Sequence, residues 1–490
     1  MRALVARKGF ARARASSIRE GVPTMQWQKK LSVVAAVSVG LAAGGAFATP
    51  GDHLWSQSFG DASQQFSEDV AVDGAGNTAV VGQYTGGAFN LGTGTLPLGG
   101  YYFNLYLAKY DSTGAALWSR SIAGIDDDDF GFVGYERRIA FDAAGNLFIA
   151  GNYYGTPDFG CGPLTRGNGS AFVAKLDTAG QCVWSSAFPG AYVENPRLAV
   201  ASNGSGVALA GRFQGTLNFG GGPLTTTGQW GVFVARLDGS GNHVWSKRFE
   251  TTNGGAFASA VGVAIDGAGR TVLAGGFSGS TNLGANVMNS HGGQDAFVAR
   301  YNATGGLMWG RHFGDAADQV AHGVVADAAG NIVLTGGFAG TLGVDTVSLS
   351  AQSASDAFLV KVDGTGHGVW GRQFTDAFGA QHGVQVSLDA AGNIATSGEY
   401  TGSIDLGAGP IENEGDFKRY VAKFDSAGTL LWGLPFVSDN AGFEARMGVG
   451  PSGDMSVAGQ YTGFGYFYGN VFQSQGNVGV LDVFLAHFQG

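Results

Sequence analysis

Residues 172–188 read FVAKLDTAGQCVWSSAF, and this stretch decides the fold because close copies of it recur throughout the chain. One tryptophan marks each copy. The seven tryptophans follow one another at intervals of 61 to 66 residues, at Trp55, Trp118, Trp184, Trp245, Trp309, Trp370 and Trp432. A repeat of this length predicts an architecture built from similar supersecondary units.

A second hairpin lies within each repeat, as residues 70–82 illustrate. Two short apolar runs, Val70–Val72 and Thr78–Val81, flank the turn residues DGAGN at 73–77. An aspartate at the head of such a turn accepts hydrogen bonds from its own backbone, and Gly and Asn adopt positive φ at low cost. Each repeat therefore predicts four strands: A ends at the aspartate, B follows the turn, C reads FVAKL and D carries the tryptophan.

Four antiparallel strands per repeat, with no helical segment between them, are typical of a β-propeller blade. Seven sets of strands A, B and C are present, but the seventh ends at residues 483–488 without a strand D. The spare strand Leu54–Phe59 can complete it and leave no exposed edge. We therefore predict an all-β fold, a seven-bladed β-propeller of four-stranded antiparallel blades, with the ring closed by the N-terminal strand completing the last blade.

The composition agrees with many tight turns and disfavours other architectures. Glycine supplies 86 residues and proline only 11, without a strict period of three, which excludes collagen. Charged residues make up 13% of the chain, too few for long charged helices or coiled coils.

Residues 1–48 differ from the rest of the chain, with eight Lys or Arg and one acidic residue. Residues 25–48 contain a Lys-Lys pair, a mostly apolar run and a small-residue exit, which is the pattern of a secretory signal peptide; a membrane anchor is the alternative. Residues 1–24 form a basic N-terminal extension, unless translation starts at Met25. We predict a single propeller domain over residues 49–490, secreted or periplasmic, with no membrane span after signal cleavage.

Removal of residues 1–48 leaves 20 basic and 37 acidic residues, a net charge of −17. Such a surface repels nucleic acid and anionic lipid, so nucleic-acid binding is excluded as a function class. We expect a monomer. Cys161 and Cys182 should lie too far apart for a disulfide, unless the loop that carries Cys161 folds over the blade edge.

The repeated text FVAKLD, a turn, the tryptophan and then DAAGN resembles the bacterial secreted β-propeller repeat (SBBP-type) family over essentially residues 53–490. The resemblance implies an exported propeller. It implies no activity, because the family has no common catalytic motif. The tryptophan motif is also similar to that of quinoprotein dehydrogenase propellers, but there the spacing that corresponds to Asp111–Gly114 is one residue longer and eight blades are usual.

Charged residues also recur with the repeat. One strand C position carries a cation at Lys109, Lys175, Arg236, Arg300, Lys361 and Lys423, and aspartates head the neighbouring A–B turns at Asp73, Asp142, Asp266, Asp327 and Asp389. We interpret these residues as a structural rim of exposed ion pairs, worth about 0–1 kcal/mol each. The seventh repeat has His487 and Gly450 instead.

In a propeller, the B–C and D–A connections form the face that usually binds ligands. The recurrent tryptophans are interpreted as packing groups, since packing must repeat whereas a binding site need not. Trp230 lies outside the repeat register, in the B–C loop of the third blade. It is the candidate for an exposed ligand contact, together with Tyr153 and Tyr154.

A second group of candidates lies near the start of the A strands, at the expected mouth of the central channel. Glu68, His322 and His382 are the candidate ligand-binding residues, and Asp69 and Glu444 are further acid–base candidates. Convergence of two or more of them in a deep pocket would favour an enzyme. Splayed side chains would favour simple solvation of the channel mouth.

Four consecutive carboxylates, Asp126, Asp127, Asp128 and Asp129, lie in the D–A connection that enters the second blade. Oxygen ligands from such loops suit Ca²⁺, but no spaced calcium-binding loop is present, and a solvated acidic loop is the alternative. No other cofactor is predicted.

A fold by itself names no ligand. The sequence predicts an exported, non-catalytic binding or scaffold protein that presents the loop surfaces of a propeller to a glycan or protein partner at the cell exterior. The alternative is a secreted polysaccharide lyase or hydrolase that uses the channel-mouth carboxylates and histidine.

Overall fold

A computed structural model describes residues 51–98, 103–124, 137–228, 230–252, 255–284, 287–375, 379–411, 418–438, 445–467, 470–474 and 480–490. Its regular secondary structure consists of 38 strands, which confirms the all-β prediction. In these ranges no helix is long and apolar enough to cross a membrane. The predicted basic extension and signal peptide lie outside the described residues, and all the strands belong to one compact unit, Ala48–Gly490.

Seven sheets share a core of four antiparallel strands, which confirms the predicted repeat unit, and we number them 1 to 7 with strands A to D. Sheet 1 comprises Gln65–Val72, Thr78–Tyr84, Asn104–Tyr110 and Ala116–Ile122. Sheet 2 comprises Arg138–Phe141, Leu147–Gly155, Gly167–Leu176 and Cys182–Phe188. Sheet 3 comprises Ala191–Val200, Gly206–Asn218, Gly231–Asp238 and His243–Phe249. Sheet 4 comprises Phe257–Ile265, Thr271–Phe277, Asp295–Tyr301 and Leu307–Phe313.

The remaining sheets follow the same order. Sheet 5 comprises Gln319–Ala326, Ile332–Phe338, Asp356–Val362 and Gly368–Phe374. Sheet 6 comprises Gln381–Leu388, Ile394–Tyr400, Lys418–Phe424 and Leu430–Ser438. Sheet 7 comprises Ala445–Val449, Met455–Tyr461, Asp482–Phe488 and His53–Phe59. Short loop strands are Pro223–Thr225, Thr251–Thr252, Ser280–Asn282, Val287–Asn289, Thr341–Val344, Val347–Ser350, Ile404–Asp405, Pro410–Ile411, Phe464–Phe467 and Asn470–Gln473.

Sheet 7 combines strands from the two ends of the chain. His53–Phe59 pairs antiparallel with Asp482–Phe488, and Ser56 lies opposite Ala486. The spare N-terminal strand and the incomplete seventh repeat therefore share one sheet.

The A–B turns have the predicted chemistry. In sheet 1, Asp73 Oδ1 accepts hydrogen bonds from the backbone N–H groups of Ala75 (2.9 Å) and Asn77 (3.0 Å). Asn77 Nδ2 donates to the second carboxylate oxygen at 2.9 Å. Because the aspartate satisfies the amides of its own turn, the hairpin is fixed locally.

Each recurrent tryptophan contacts the C–D turn of the next sheet. The indole Nε1 donates to a turn carbonyl at 3.0–3.3 Å from Trp55, Trp118, Trp184, Trp245, Trp309 and Trp370. A glycine with positive φ lies against each of the seven indoles, at Gly114, Gly180, Gly241, Gly305, Gly366, Gly428 and, for Trp432, Gly51. A Cβ at these glycines would meet indole atoms at 2.8–3.1 Å, so the close approach requires glycine. The predicted packing role of the tryptophans is confirmed.

The hydrophobic core lies between neighbouring sheets. Seven clusters of buried side chains each combine residues of two neighbouring sheets. One joins Leu107 of sheet 1 to Ile149 of sheet 2, and another joins Val80 of sheet 1 to Leu485 of sheet 7. Since both faces of each sheet are covered, strands B and C are almost continuously apolar.

The strand C cations pair with the turn aspartates in five sheets, but the prediction that these pairs are exposed is wrong for most of them. Lys109 lies 2.8 Å from Asp73, and their side chains are only 3% and 4% exposed. Burial raises the pKa of Asp73, but hydrogen bonds from Lys109 and Asn77 outweigh it and hold that pKa below its ordinary value. The other pairs are Lys175–Asp142, Arg300–Asp266, Lys361–Asp327 and Lys423–Asp389. Removing one partner of a buried pair costs about 3–5 kcal/mol, well above the value expected for an exposed rim.

The expectation that the two cysteines are too far apart is also wrong. Cys161 and Cys182 form a disulfide with a Cα–Cα distance of 5.6 Å. The B–C loop of sheet 2 folds back on itself, with Asp158 bridged to Pro163, and this brings Gly160 against Cys182 at the start of strand D. The sequence does not show this loop path.

Deletion of residues 49–60 would leave Asp482–Phe488 at the edge of sheet 7, paired on one side only, with Met455–Tyr461. We expect a lower midpoint of thermal unfolding and self-association that grows with protein concentration, measured by calorimetry and light scattering. A permuted chain, in which residues 49–60 follow Gly490 through a short linker, should recover the wild-type midpoint. Failure of that chain to recover it, or no effect of the deletion, would contradict the importance of this pairing.

Candidate functional site

The histidines His322 and His382, predicted as candidate ligand groups, lie in one cleft although they come from sheets 5 and 6. Their ring centroids are 6.3 Å apart. The cleft has a volume of about 470 Å³ and is also lined by Asp318, Ser355 and small residues. The structure therefore brings together two of the five acid–base candidates.

A β-bulge positions His322. The register between strands A and B of sheet 5 shifts between Ala321 and Gly323, which leaves His322 as the extra residue and redirects its side chain. His322 Nδ1 lies 2.9 Å from the carbonyl oxygen of Gly383. In the neutral ring Nδ1 therefore carries the hydrogen, and Nε2 is an acceptor.

A missing side chain makes room for His382. A Cβ at Gly337 would lie 2.4 Å from His382 Nδ1. At the same register position, sheets 1 and 6 carry the long side chains Gln83 and Glu399. His382 Nδ1 lies 3.4 Å from Ser355 Oγ, which comes from the B–C loop of sheet 5.

Burial lowers the pKa of both imidazoles. For His322, the hydrogen bond to Gly383 opposes this effect, whereas a charge on His382 would reinforce it. For His382, the carboxylate of Glu399 opposes burial, but Glu399 is also paired with Arg419 at 2.7 Å. Both pKa values lie below the ordinary histidine value, so both rings are neutral near pH 7.

Two neutral imidazoles, a hydroxyl group and a carboxylate can exchange hydrogen bonds with a ligand rich in hydroxyl groups. Asp318 Oδ1 already accepts the backbone N–H of Gln294 at 2.8 Å, which fixes its orientation. A neutral imidazole can also act as a general base near pH 7. The geometry of the cleft thus suits either the recognition of hydroxyl groups or acid–base chemistry.

The carboxylate of Glu68 belongs to a structural ion pair and not to this cleft. Arg137, which is fully buried, donates to Glu68 Oε1 through Nη1 at 2.8 Å and to Oε2 through its backbone N–H at 3.0 Å. Burial raises the pKa of Glu68, and the charge of Arg137 opposes that shift. We assign Glu68 to the contact between sheets 1 and 2.

The A strands of all seven sheets line a central cavity of about 390 Å³, and His322 lines both this cavity and the cleft. Its wall combines valines such as Val263 and Val324 with the polar side chains of Arg138, Arg197 and Gln385. Asp69 also lies there, but its Oδ2 accepts the backbone N–H of Ile139 at 2.9 Å. The remaining acid–base candidate, Glu444, lies outside the described residues.

The aromatic candidates differ in exposure. Tyr153 is fully buried, its hydroxyl donates to the carbonyl of Thr165 at 2.7 Å, and burial raises its pKa to about 12. The expectation that Tyr153 is exposed is therefore wrong, because its strand lies under the B–C loop. Tyr154 is half-buried.

The side chain of Trp230 is half-buried. The guanidinium of Arg212 lies 4.8 Å from the centroid of its ring, and Tyr192 packs against it edge-on at 5.8 Å. One face of the indole is therefore covered by a cation. Trp230 has less free ring surface for a ligand than the sequence analysis predicts.

The predicted calcium ligands Asp126–Asp129 lie outside the described residues. A different set of potential metal ligands was missed by the sequence analysis. His291 Nδ1, His312 Nδ1 and a carboxylate oxygen of Asp295 lie within 4.8 Å of one another in sheet 4. The sequence signal for this cluster is the presence of two histidines in one repeat, at positions where the other repeats carry no histidine.

Ser355 and Gly337 were also missed. Ser355 lies in a loop, where sequence periodicity gives no side-chain direction. Gly337 is recognisable only by comparing the repeats, because it occupies a position where sheets 1 and 6 carry polar side chains.

No family model matches the chain, and no curated protein matches it. Solved structures that match the chain include an ulvan lyase of a new polysaccharide lyase family, at 11% identity over 86% of this chain and 97% of that one, with a TM-score of 0.43. A protein of unknown function from Dyadobacter fermentans is 10% identical over 72% of this chain and 94% of that one, with a TM-score of 0.37. A Hadza microbial sialidase is 10% identical over 81% and 74%, with a TM-score of 0.37. Likenesses of this size carry no argument about the activity of this chain.

Protonation of the cleft histidines should destabilise the fold. Because burial lowers both pKa values, the folded chain binds fewer protons than the unfolded chain, so this contribution to stability is complete above about pH 6.5 and is lost as the pH falls below it. We expect the thermal midpoint to decline from pH 7 to pH 5, and to decline less in the double variant His322→Asn/His382→Asn. A pH series of thermal unfolding measures this, with the exposed His367→Asn as the matched control. Equal slopes in the double variant and the wild type would show that the cleft histidines do not contribute.

Proposed function

We propose that this chain is an exported seven-bladed β-propeller that binds a glycan in the cleft between sheets 5 and 6. The observation that carries the proposal is the convergence of His322 and His382, 6.3 Å apart, with Ser355 and Asp318 in the same cleft. Export is the part that depends on the signal-peptide pattern of residues 25–48.

The closed ring is supported by three features of sheet 7. Its strand D comes from the N-terminus and its strands A to C come from the C-terminus. Its core contacts reach both sheet 6 and sheet 1. Gly51 and Gln489, from opposite chain ends, take the place of a C–D turn against Trp432, and the N–H of Gly51 donates to the carbonyl of Gln489 at 2.9 Å.

A glycan fits the cleft better than a charged ligand does. The volume of about 470 Å³ lies within the usual range of small-ligand pockets. Neutral imidazoles accept hydrogen bonds from sugar hydroxyls without the cost of burying a net charge. Ser355 both donates and accepts, as a ligand with many hydroxyl groups requires.

A glycan-cleaving enzyme is the second candidate, and one distance favours it. Ser355 Oγ lies 3.4 Å from His382 Nδ1, and His322 presents a second neutral imidazole beside it. Either ring can take a proton from a bound sugar in a lyase or activate a hydroxyl in a hydrolase. The carboxylate of this candidate is Asp318, since Glu68 is held by Arg137.

Glycan binding by the chain from residue 49 onward tests the proposal, first on an array and then by calorimetry with the best ligand. We expect His382→Ala and Ser355→Ala each to weaken binding about tenfold, the effect of losing one good hydrogen bond. The exposed His367→Ala should leave the affinity unchanged. Binding that the two cleft variants do not affect, or no glycan binding, would contradict the proposal.

The same ligand distinguishes the binding protein from the enzyme. Incubation followed by chromatography of the products should show the ligand intact if the protein only binds it. Release of shorter products, lost in His382→Ala, would support the lyase or hydrolase in its place.

A further inference from the structure

Arg236 departs from the pattern of buried ion pairs. In the five sheets with such pairs, the strand C cation meets the aspartate that heads the A–B turn. In sheet 3 the turn begins with Ala201, whose N–H donates to the carbonyl of Gly206 at 2.9 Å. The cation is retained in sheet 3 while its carboxylate is absent.

Arg236 is nevertheless only 6% exposed. Its Nη1 donates to the carbonyl of Leu237 at 3.3 Å, and its Nε has no hydrogen-bond partner among the described residues. Burial lowers the pKa of this guanidinium. A buried charge without a counterion destabilises the folded state. Binding of an anion beside Arg236 would therefore be stabilising.

A cavity of about 350 Å³ adjoins the guanidinium, between the turns of sheets 3 and 4. None of its nine described lining residues is acidic. Asn203 and Ser205 line it as well, and Asn203 Oδ1 is occupied by the N–H of Ser205 at 3.0 Å. The Asn203 amide group and the Ser205 hydroxyl are therefore further donors beside Arg236.

We propose that this cavity is an anion site that takes a carboxylate or another small oxyanion on Arg236, which lacks the aspartate partner that five other sheets supply. The planar guanidinium suits two-point binding of such a group. The ligand is either a free inorganic oxyanion or the carboxylate of an acidic sugar. The site lies at the turns, at the other end of the strands from the histidine cleft, and is independent of it.

Thermal unfolding of the chain from residue 49 onward, in sulfate, phosphate or glucuronate against chloride at equal ionic strength, tests this site. We expect a rise of about 2 °C or more that saturates with anion concentration. Sulfate or phosphate alone would indicate a free inorganic anion, whereas a larger rise in glucuronate would indicate a sugar acid.

Two variants make the test specific. Ala201→Asp restores the missing carboxylate, so it should raise the midpoint without added anion and abolish the anion-dependent rise. Arg236→Met should also abolish that rise. Ala390→Asp, which adds the same charge to an exposed position of the sheet 6 turn, should keep it. An anion-dependent rise that persists in Arg236→Met, or none in the wild type, would overturn the proposal.

A second site is carried by different residues, in sheet 4. His291 Nδ1 and His312 Nδ1 lie 2.7 and 2.9 Å from Asp295 Oδ2. Asp295 is fully buried, and its Oδ1 accepts the N–H of His291 at 3.1 Å, which fixes the carboxylate. The side chain of His291 is 58% exposed, so one side of the cluster faces solvent.

Sheet 5 has a buried carboxylate at the position of Asp295 but no histidines at the positions of His291 and His312. Its corresponding carboxylate, Asp356, accepts hydrogen bonds from Gln352 and Ser353, and Gln373 stands in the place of His312. Two imidazoles are therefore not required to satisfy the carboxylate. We infer that His291, Asp295 and His312 bind a divalent transition metal such as Zn²⁺, with the solvent side left for a fourth ligand.

Titration of the chelator-treated chain with Zn²⁺ alone, by calorimetry, tests the metal site. We expect one equivalent to bind and the thermal midpoint to rise. His312→Gln, which copies sheet 5, should lower the affinity at least about tenfold. His367→Asn should not change it. Zn²⁺ binding that His312→Gln leaves unchanged, or none in the wild type, would overturn the assignment.

Discussion

The contact between a strand D indole and the C–D turn glycine of the next sheet is the constraint on which the rest of the structure depends. A single sheet has two apolar faces and cannot be stable alone. Each sheet must therefore pack against two neighbouring sheets. The indole does this at one edge with both its ring and its Nε1 hydrogen bond, and only a glycine with positive φ lets the ring approach. In sheet 7, where two chain ends replace this turn, Gly51 reproduces the contact with the Trp432 ring, but Trp432 Nε1 has no hydrogen-bond partner among the described residues.

This constraint explains why the repeat is so regular in strands B, C and D and so variable elsewhere. Packing between sheets must recur in every repeat. Loops and strand ends take little part in this packing, so their sequences can differ between repeats. Departures from the repeat therefore carry more information than the repeat does. The strand A bulge recurs in sheets 1 and 6, but there the extra residue is Glu68 or Val384 and not a histidine. Gly337 stands where sheets 1 and 6 carry Gln83 and Glu399, and Ala201 stands where five other sheets carry a paired aspartate.

The strands, the aspartate-headed turns and the partner of the spare N-terminal strand could be predicted from the sequence because they depend on local pattern and on edge pairing. The partners in the ion pairs could be predicted too, but not their burial, which depends on how closely the next sheet packs over them. The disulfide, the burial of Tyr153 and the proximity of His291 to His312 depend on loop paths, which a sequence pattern does not specify. His322 and His382 were identified as candidates, but their separation of 6.3 Å follows from a bulge and a glycine, both in sheet 5.

The two ends of the sheets differ in electrostatic character, and this difference follows from the repeat. At the turn end, most buried cations meet an aspartate of their own sheet, so the single exception at Arg236 leaves a positive charge that a ligand can neutralise. At the loop end, burial lowers the pKa of His322 and His382, so these two rings offer hydrogen bonds and no positive charge near pH 7. Rigid strands separate the two ends, and a substitution at one should leave binding at the other unchanged. The two proposed sites therefore differ in the chemistry that they offer a ligand, and the sheets between them need not change for both to be occupied.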